Sequence, residues 1–184
     1  MTIPFPTPDA PNLCVLISLP LPEQVAGRLP EAKEGVRPHI TLAGPCDVTE
    51  AQARKILEAF TAGAVTTGSP VPVTLRGVGD FRNDDPPCPV VFVQVAAGFD
   101  RLVALAEQLD AEFGLTRRFD PHPHVTLAYW LEDDELDRIA ADHHGFEAEC
   151  EISTVTLQFG IGTTTTPRVN TWGAGKTFAI AAAS

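Results

Sequence analysis

One short segment occurs twice in this chain, and it restricts the possible folds more than any other feature. Pro38-His39-Ile40-Thr41-Leu42-Ala43 returns 85 residues later as Pro123-His124-Val125-Thr126-Leu127-Ala128, identical at five of six positions, with Ile exchanged for Val at the sixth. Apolar and polar residues alternate in both copies, the pattern of a half-buried strand. Side chains of a strand point alternately to its two faces, so His39 and Thr41 share one face while Ile40 and Leu42 share the other. His124 and Thr126 stand in the same relation to Val125 and Leu127. The apolar pair anchors each strand to a core and leaves an imidazole and a hydroxyl on the opposite side. A fold that brings the copies together collects two histidines and two threonines in one cleft.

The surrounding pattern repeats as well. Residues 12–20 read as a first strand, 22–33 as a short helix weakened by Gly27 and Pro30, and 37–44 as a strand closed by Gly44-Pro45. A helix capped by Thr49 or Asp47 runs to about residue 61, with Ile56, Leu57 and Phe60 on one face. Residues 71–81 and 89–97 read as strands joined by a loop rich in Asp and Pro. In the second half, Leu102, Leu105, Ala106, Leu109 and Phe113 recur at helical spacing and Gly114 closes the helix. Residues 124–130 form a strand, and Asp133, Asp134 and Glu135 open a helix whose dipole favours acids there. Residues 147–161 and 170–180 read as two last strands joined through 163–166, a loop or a lid. The expectation is an α+β fold: one bilobal domain over 1–184, with pseudo-symmetric lobes near 12–97 and 98–180, strand exchange between them being compatible with the pattern.

Charge narrows the ligand. The 184 residues carry 13 basic and 24 acidic side chains, a net charge of −11. That charge argues against a long nucleic acid held on a broad basic face, because that mode needs many lysines and arginines, but not against a short nucleotide in a local pocket. No basic leader opens the sequence and no apolar stretch approaches the roughly 20 residues of a membrane helix. Cys14, Cys46, Cys88 and Cys150 show no Cys-x-x-Cys spacing and read as reduced thiols. A cytoplasmic monomer is the expectation.

Two imidazoles and two hydroxyls suit cleavage of a phosphodiester. In-line displacement at phosphorus needs a base for the attacking oxygen and, opposite it, an acid for the leaving oxygen; histidine serves either role near neutral pH. Threonine hydroxyls can donate to the non-bridging oxygens. No metal or other cofactor is required. At these residues the sequence resembles the two-histidine phosphoesterase superfamily, the LigT-like or 2′-5′ RNA ligase-like family, whose mark is a pair of His-x-Thr/Ser-x motifs. The element order resembles the family over nearly the whole chain, and residues 77–81 look like the segment that follows its first motif. The resemblance implies a bilobal fold around a central cleft and metal-independent cleavage of 2′,3′-cyclic or 2′-5′ phosphodiesters, with His39 and His124 as the acid–base pair and Thr41 and Thr126 holding phosphate. Hydrolysis of cyclic oligonucleotide signals and a non-catalytic nucleotide-binding module are the alternatives. Which histidine is the base is open.

Other residues have weaker signals. Many RNA-acting relatives carry an arginine soon after the second motif, where this chain has Tyr129-Trp130; these aromatics can stack on a base or pack within the strand. Phe81 either covers the cleft or belongs to the core. Arg117 and Arg118 either meet a nucleotide or sit on the surface. His122-x-His124, with Asp120 and His143-His144, would suit a metal, but a metal explains neither Thr41 nor Thr126.

Overall fold

The computed structural model describes residues 13–33, 35–63, 70–82, 88–117, 119–161, 171–172 and 175–180. Strands β1 (Leu13–Pro20), β2 (His39–Asp47), β3 (Val71–Phe81), β4 (Cys88–Ala97), β5 (His124–Tyr129), β6 (Glu147–Ile152), β7 (Thr154–Ile161), β8 (Thr171–Trp172) and β9 (Lys176–Ala179) alternate with helices α1 (Glu23–Ala26), α2 (Glu50–Thr61), α3 (Phe99–Phe113) and α4 (Asp133–His143). The strands form one antiparallel sheet in the order β6-β3-β4-β5-β2-β1-β7-β8, with β9 also on β7. At its middle, β2 meets β5 through the single registered pair Ile40 and Val125, whereas the flanking ladders are longer. That narrow seam between two groups of strands makes the α+β fold bilobal.

Packing follows the apolar periodicities. All five residues expected on the inner face of α3 are buried, as are Ala53, Ile56 and Phe60 of α2. Thr49, not Asp47, caps α2: its hydroxyl accepts from the Gln52 amide, and the Gln52 side chain accepts from the Thr49 amide in return. The Phe60 ring lies 6.5 Å from Phe113 and 5.5 Å from Phe178, tying α2 to α3 and β9. Ile40, Leu42, Val125 and Leu127 join the same core as these helices and as Leu136 of α4. Full burial of each aliphatic side chain contributes roughly 1.5–3 kcal/mol.

Four expectations are corrected. The helix expected over 22–33 is one turn, Glu23–Ala26, because Gly27 ends it and Pro30 has no amide to continue it. Strand β2 does not stop at Gly44-Pro45 but runs on to Asp47. Gly44 sits at φ 106° against β1, where a Cβ would run into the Val15 carbonyl, so glycine keeps the strands paired through this turn of the backbone. The strand expected over 147–161 breaks at Ser153, with β6 pairing β3 and β7 crossing to β1. The final strand is two short pieces, β8 and β9, on one edge of β7. Across the sheet, β5 and β6 lie beside β4 and β3, and β7 lies beside β1.

Candidate active site

The two copies of the repeat have the same burial pattern. Ile40, Leu42 and Ala43 are buried between half-buried His39 and Thr41, and Val125, Leu127 and Ala128 repeat this around His124 and Thr126. Pairing is antiparallel about Ile40 and Val125, so the same register sets His39 across from Thr126 and Thr41 across from His124. Directly opposed residues share a face, and diagonal neighbours lie roughly 7–8 Å apart. The four side chains thus form one square, a histidine and a threonine alternating at its corners.

Each imidazole is held identically. His39 Nδ1 lies 2.8 Å from the Arg37 carbonyl and His124 Nδ1 lies 2.6 Å from the His122 carbonyl, in each case two residues back. A carbonyl can only accept, so Nδ1 carries the proton and donates it, leaving Nε2 as the ring's other functional atom.

The surroundings of the two rings differ. His124 has Phe92 at 4.7 Å, Phe81 at 5.2 Å and His122 at 6.1 Å between ring centroids. Burial in this box, opposed by the hydrogen bond to the His122 carbonyl and aided by the nearby His122 and His39 charges, pushes the His124 pKa down to about 4. Gly79 makes room for the box, since a Cβ there would come within 2.9 Å of the Phe92 ring. Arg82, next to Phe81, holds Asp80 at 3.1 Å and Asp137 of α4 at 2.7 Å, with Asp133 at 3.7 Å. The acidic start of α4 is therefore more than a dipole complement: it clamps the end of β3 that carries Phe81. Phe81 is half-buried and meets the His122 and His124 rings edge-on.

A feature missed in the sequence decides where Tyr129 points. The registers step by one residue after each threonine: Ser18 pairs Thr41 but Ile17 pairs Ala43, and Phe92 pairs Thr126 but Val91 pairs Ala128. Each motif thus ends in a β-bulge at its leucine, which explains why Leu-Ala is buried at both residues. Strict alternation would put Tyr129 on the core side; the bulge returns it to the face of His124 and Thr126, opposite Val90. Burial raises the Tyr129 pKa. Trp130 then ends the strand at φ 58°, a left-handed conformation uncommon for a bulky residue, and is 39% exposed. The two consecutive apolar residues after each His-x-Thr were the available signal for the bulge.

The remaining candidates divide clearly. Arg117 is not a surface arginine, since it binds the Asp110 carboxylate and donates to the Ala106 carbonyl at 3.0 Å. Arg118, the 163–166 loop and the Trp172 side chain lie outside the described residues. His143 Nδ1 lies 2.9 Å from the Ile139 carbonyl of its own helix. Among the described residues no three His, Cys, Asp or Glu side chains gather as a metal site. A depression of about 460 Å³ is lined by Glu107, Asp110, Arg117, Phe119, Asp120 and Pro121, with no histidine in its lining. Three carboxylates against one already paired guanidinium make it a poor seat for phosphate. Cys14 and Cys46 are buried free thiols whose pKa values burial pushes up to about 11, and Cys150 is also free.

Two His-x-Thr strands side by side at the middle of one antiparallel sheet are the arrangement that the resemblance to two-histidine phosphoesterases implied. The profile of the 2′-5′ RNA ligase superfamily matches residues 22–158, and the chain belongs to that family. The fold is similar to that of Escherichia coli LigT complexed with 3′-AMP (21% identity, TM-score 0.58, 92% of this chain and 98% of that one). It is equally similar to TT0787 of Thermus thermophilus (18%, 0.58, 91% and 97%). LigT complexed with NADP+ matches at 19% identity and a TM-score of 0.56 over 92% and 98%. A search of curated protein sequences finds no match. Among the described residues no helix is long and apolar enough to cross a membrane.

Proposed function

We propose that the protein is a metal-independent phosphodiesterase that hydrolyses a 2′,3′-cyclic phosphate or a 2′-5′ phosphodiester of a small nucleotide or RNA end. The observation that carries this is the square of His39, Thr126, His124 and Thr41 across the β2–β5 seam, with both Nδ1 atoms bonded to the backbone. A phosphate over the square has an imidazole Nε2 on either flank and a threonine hydroxyl for each non-bridging oxygen. The LigT structures similar in fold hold 3′-AMP, ATP and NADP+, which supports a nucleotide as the ligand here.

The unequal surroundings support an assignment of roles. His124, its pKa low because it is packed among rings, enters neutral and takes a proton from the attacking water. His39, on the other flank, gives a proton to the leaving oxygen. Tyr129, Trp130 and Phe81, with the exposed His122, border the His124 side and offer a flat surface to a base. The protein works as a cytoplasmic monomer in this reading.

Phosphorus NMR tests the proposal, with 2′,3′-cyclic mononucleotides, 2′-5′ dinucleotides and cyclic oligonucleotides in excess EDTA. A new monoester resonance is expected with wild type and not with the His39→Ala/His124→Ala protein. Binding of these nucleotides with no turnover would replace the enzyme by a nucleotide-binding module.

A further inference from the structure

The two copies of the repeat differ at the residue two places before each histidine. Arg37 and His122 occupy equivalent positions, each followed by proline, and the carbonyl of each accepts from the Nδ1 of the histidine that follows. A residue before proline favours extended backbone, which sets its side chain on the same face as the residue two places on. The two side chains then diverge. Arg37 forms an exposed ion pair with Glu23 of α1 at 2.7 Å. His122 keeps its ring beside the catalytic imidazole, with the centroids 6.1 Å apart.

His122 is exposed, yet three rings hold it in place. It meets Phe81 of β3 at 5.2 Å, Phe92 of β4 at 5.5 Å and Phe99 of α3 at 5.4 Å, each close to edge-on. Phe81 and Phe92 also pack on His124, so the two imidazoles share two walls of one box. Two imidazolium ions this close repel each other, and apolar walls screen them less than water does. Solvent favours the proton on the exposed member, His122. The other elements packed here bring groups already engaged or uncharged. On β3, Asp80 and Arg82 flank Phe81 and bind each other, and Arg82 also holds Asp133 and Asp137 of α4. On β4 the partner of His124 is the neutral Gln94. Asp100 and Arg101 follow Phe99 in α3, Asp120 lies two residues before His122 in the acidic depression, and β2 brings His39. Of these, the charges that push the His124 pKa down are those of His122 and then His39.

We infer that His122 is a positioning residue for His124: its ring completes the box, and its charge, once taken up from solvent, repels a proton from the neighbouring imidazole. His124 thereby stays able to take the proton of the attacking water in mildly acidic solution. The first motif has no counterpart, because the Arg37 guanidinium is paired with Glu23. The inference rests on the phosphodiesterase reading for the role of His124 as base. It goes further in assigning a task to a third histidine outside the two motifs, and in giving the near-symmetric site a built-in difference between its two ends.

Proton–carbon NMR of the imidazole Cε1–H groups tests this without any substrate. In wild type at low salt the His124 signal should move in two steps, a small one that follows the His122 titration and a large one at its own lower midpoint. His122→Gln should abolish the small step and raise the His124 midpoint by about half a pH unit or more, the least expected for charges 6.1 Å apart. His122→Arg, which keeps a charge and loses the ring, should hold the midpoint at or below the wild-type value. A single-step His124 titration in wild type, or an unmoved midpoint in His122→Gln, would overturn the inference. Equal rises in the Gln and Arg variants would also overturn it, because packing alone would then account for them. Turnover is a separate readout: in the EDTA assay the acid limb of kcat/KM should rise with the midpoint in His122→Gln. Coupled titrations without turnover keep the positioning role and discard the reaction, and turnover with uncoupled titrations does the reverse.

Discussion

Removing the Phe81 ring should raise the pKa of His124 and with it the acid limb of activity. The neutral form of His124 is favoured because the ring is packed against Phe92 and Phe81, and its pKa is pushed from 6.5 to about 4. A difference of that size corresponds to roughly 3 kcal/mol between the two protonation states. Phe81 supplies one wall of the box, so Phe81→Ala admits water and is expected to raise the value by about one unit, or about 1.4 kcal/mol. The assay is a proton–carbon NMR titration of the imidazole Cε1–H, with the His124 signal identified by its absence in His124→Gln. Linkage supplies a second readout. An unfolded histidine titrates near 6.5, so between about pH 6.5 and 4 the unfolded chain takes up a proton that the folded one refuses. Stability should fall through that window by about 1.4 kcal/mol per pH unit and level off below it. Comparison with His124→Gln isolates this segment from the carboxylates. A wild-type His124 titrating between pH 6 and 7, or unmoved by Phe81→Ala, would refute the reasoning.

Three further outcomes are expected. Replacing either His39 or His124 by alanine should lower the rate about 10²- to 10⁴-fold in the EDTA assay, while circular dichroism shows the fold intact. Gly44→Ala places a Cβ against the Val15 carbonyl at φ 106°, and should cost at least about 2 kcal/mol in urea denaturation, with a β-branched residue costing more. Arg82→Met removes the clamp on Asp80 and Asp137 and should cost about 1–2 kcal/mol at pH 7. Arg82 holds the Asp80 carboxyl below its ordinary pKa, so this contribution is present above the carboxylate range and lost as pH falls through it; the gap between variant and wild type should close in acid.

Local patterning carried much of the fold. The inner face of α3, the cap of α2 to within Thr49 or Asp47, and the alternation in β2 and β5 were legible, because each depends on residues within one or two turns or a few strand positions. The break at Ser153 had a local sign too. The apolar residues Ala148, Cys150 and Ile152 occupy even positions, whereas Val155, Leu157 and Phe159 occupy odd ones, and such a phase change marks a strand that changes face or partner. The extent of α1 failed for the opposite reason: an apolar spacing suggested a helix that Gly27 and Pro30 do not permit.

By itself the sequence determined that two His-x-Thr strands exist and which side of each is apolar. Only the tertiary structure decided how they meet. Their register, set by Ile40 against Val125, joins residues 85 positions apart, and no local preference encodes that choice. The ring box around His124 draws on β3, β4 and the segment before β5. The repeat is nearly symmetric in sequence, yet its two histidines have unlike neighbours. Neighbours across a sheet are selected by long-range strand pairing, and it is those neighbours that set the solvation and charge of an imidazole.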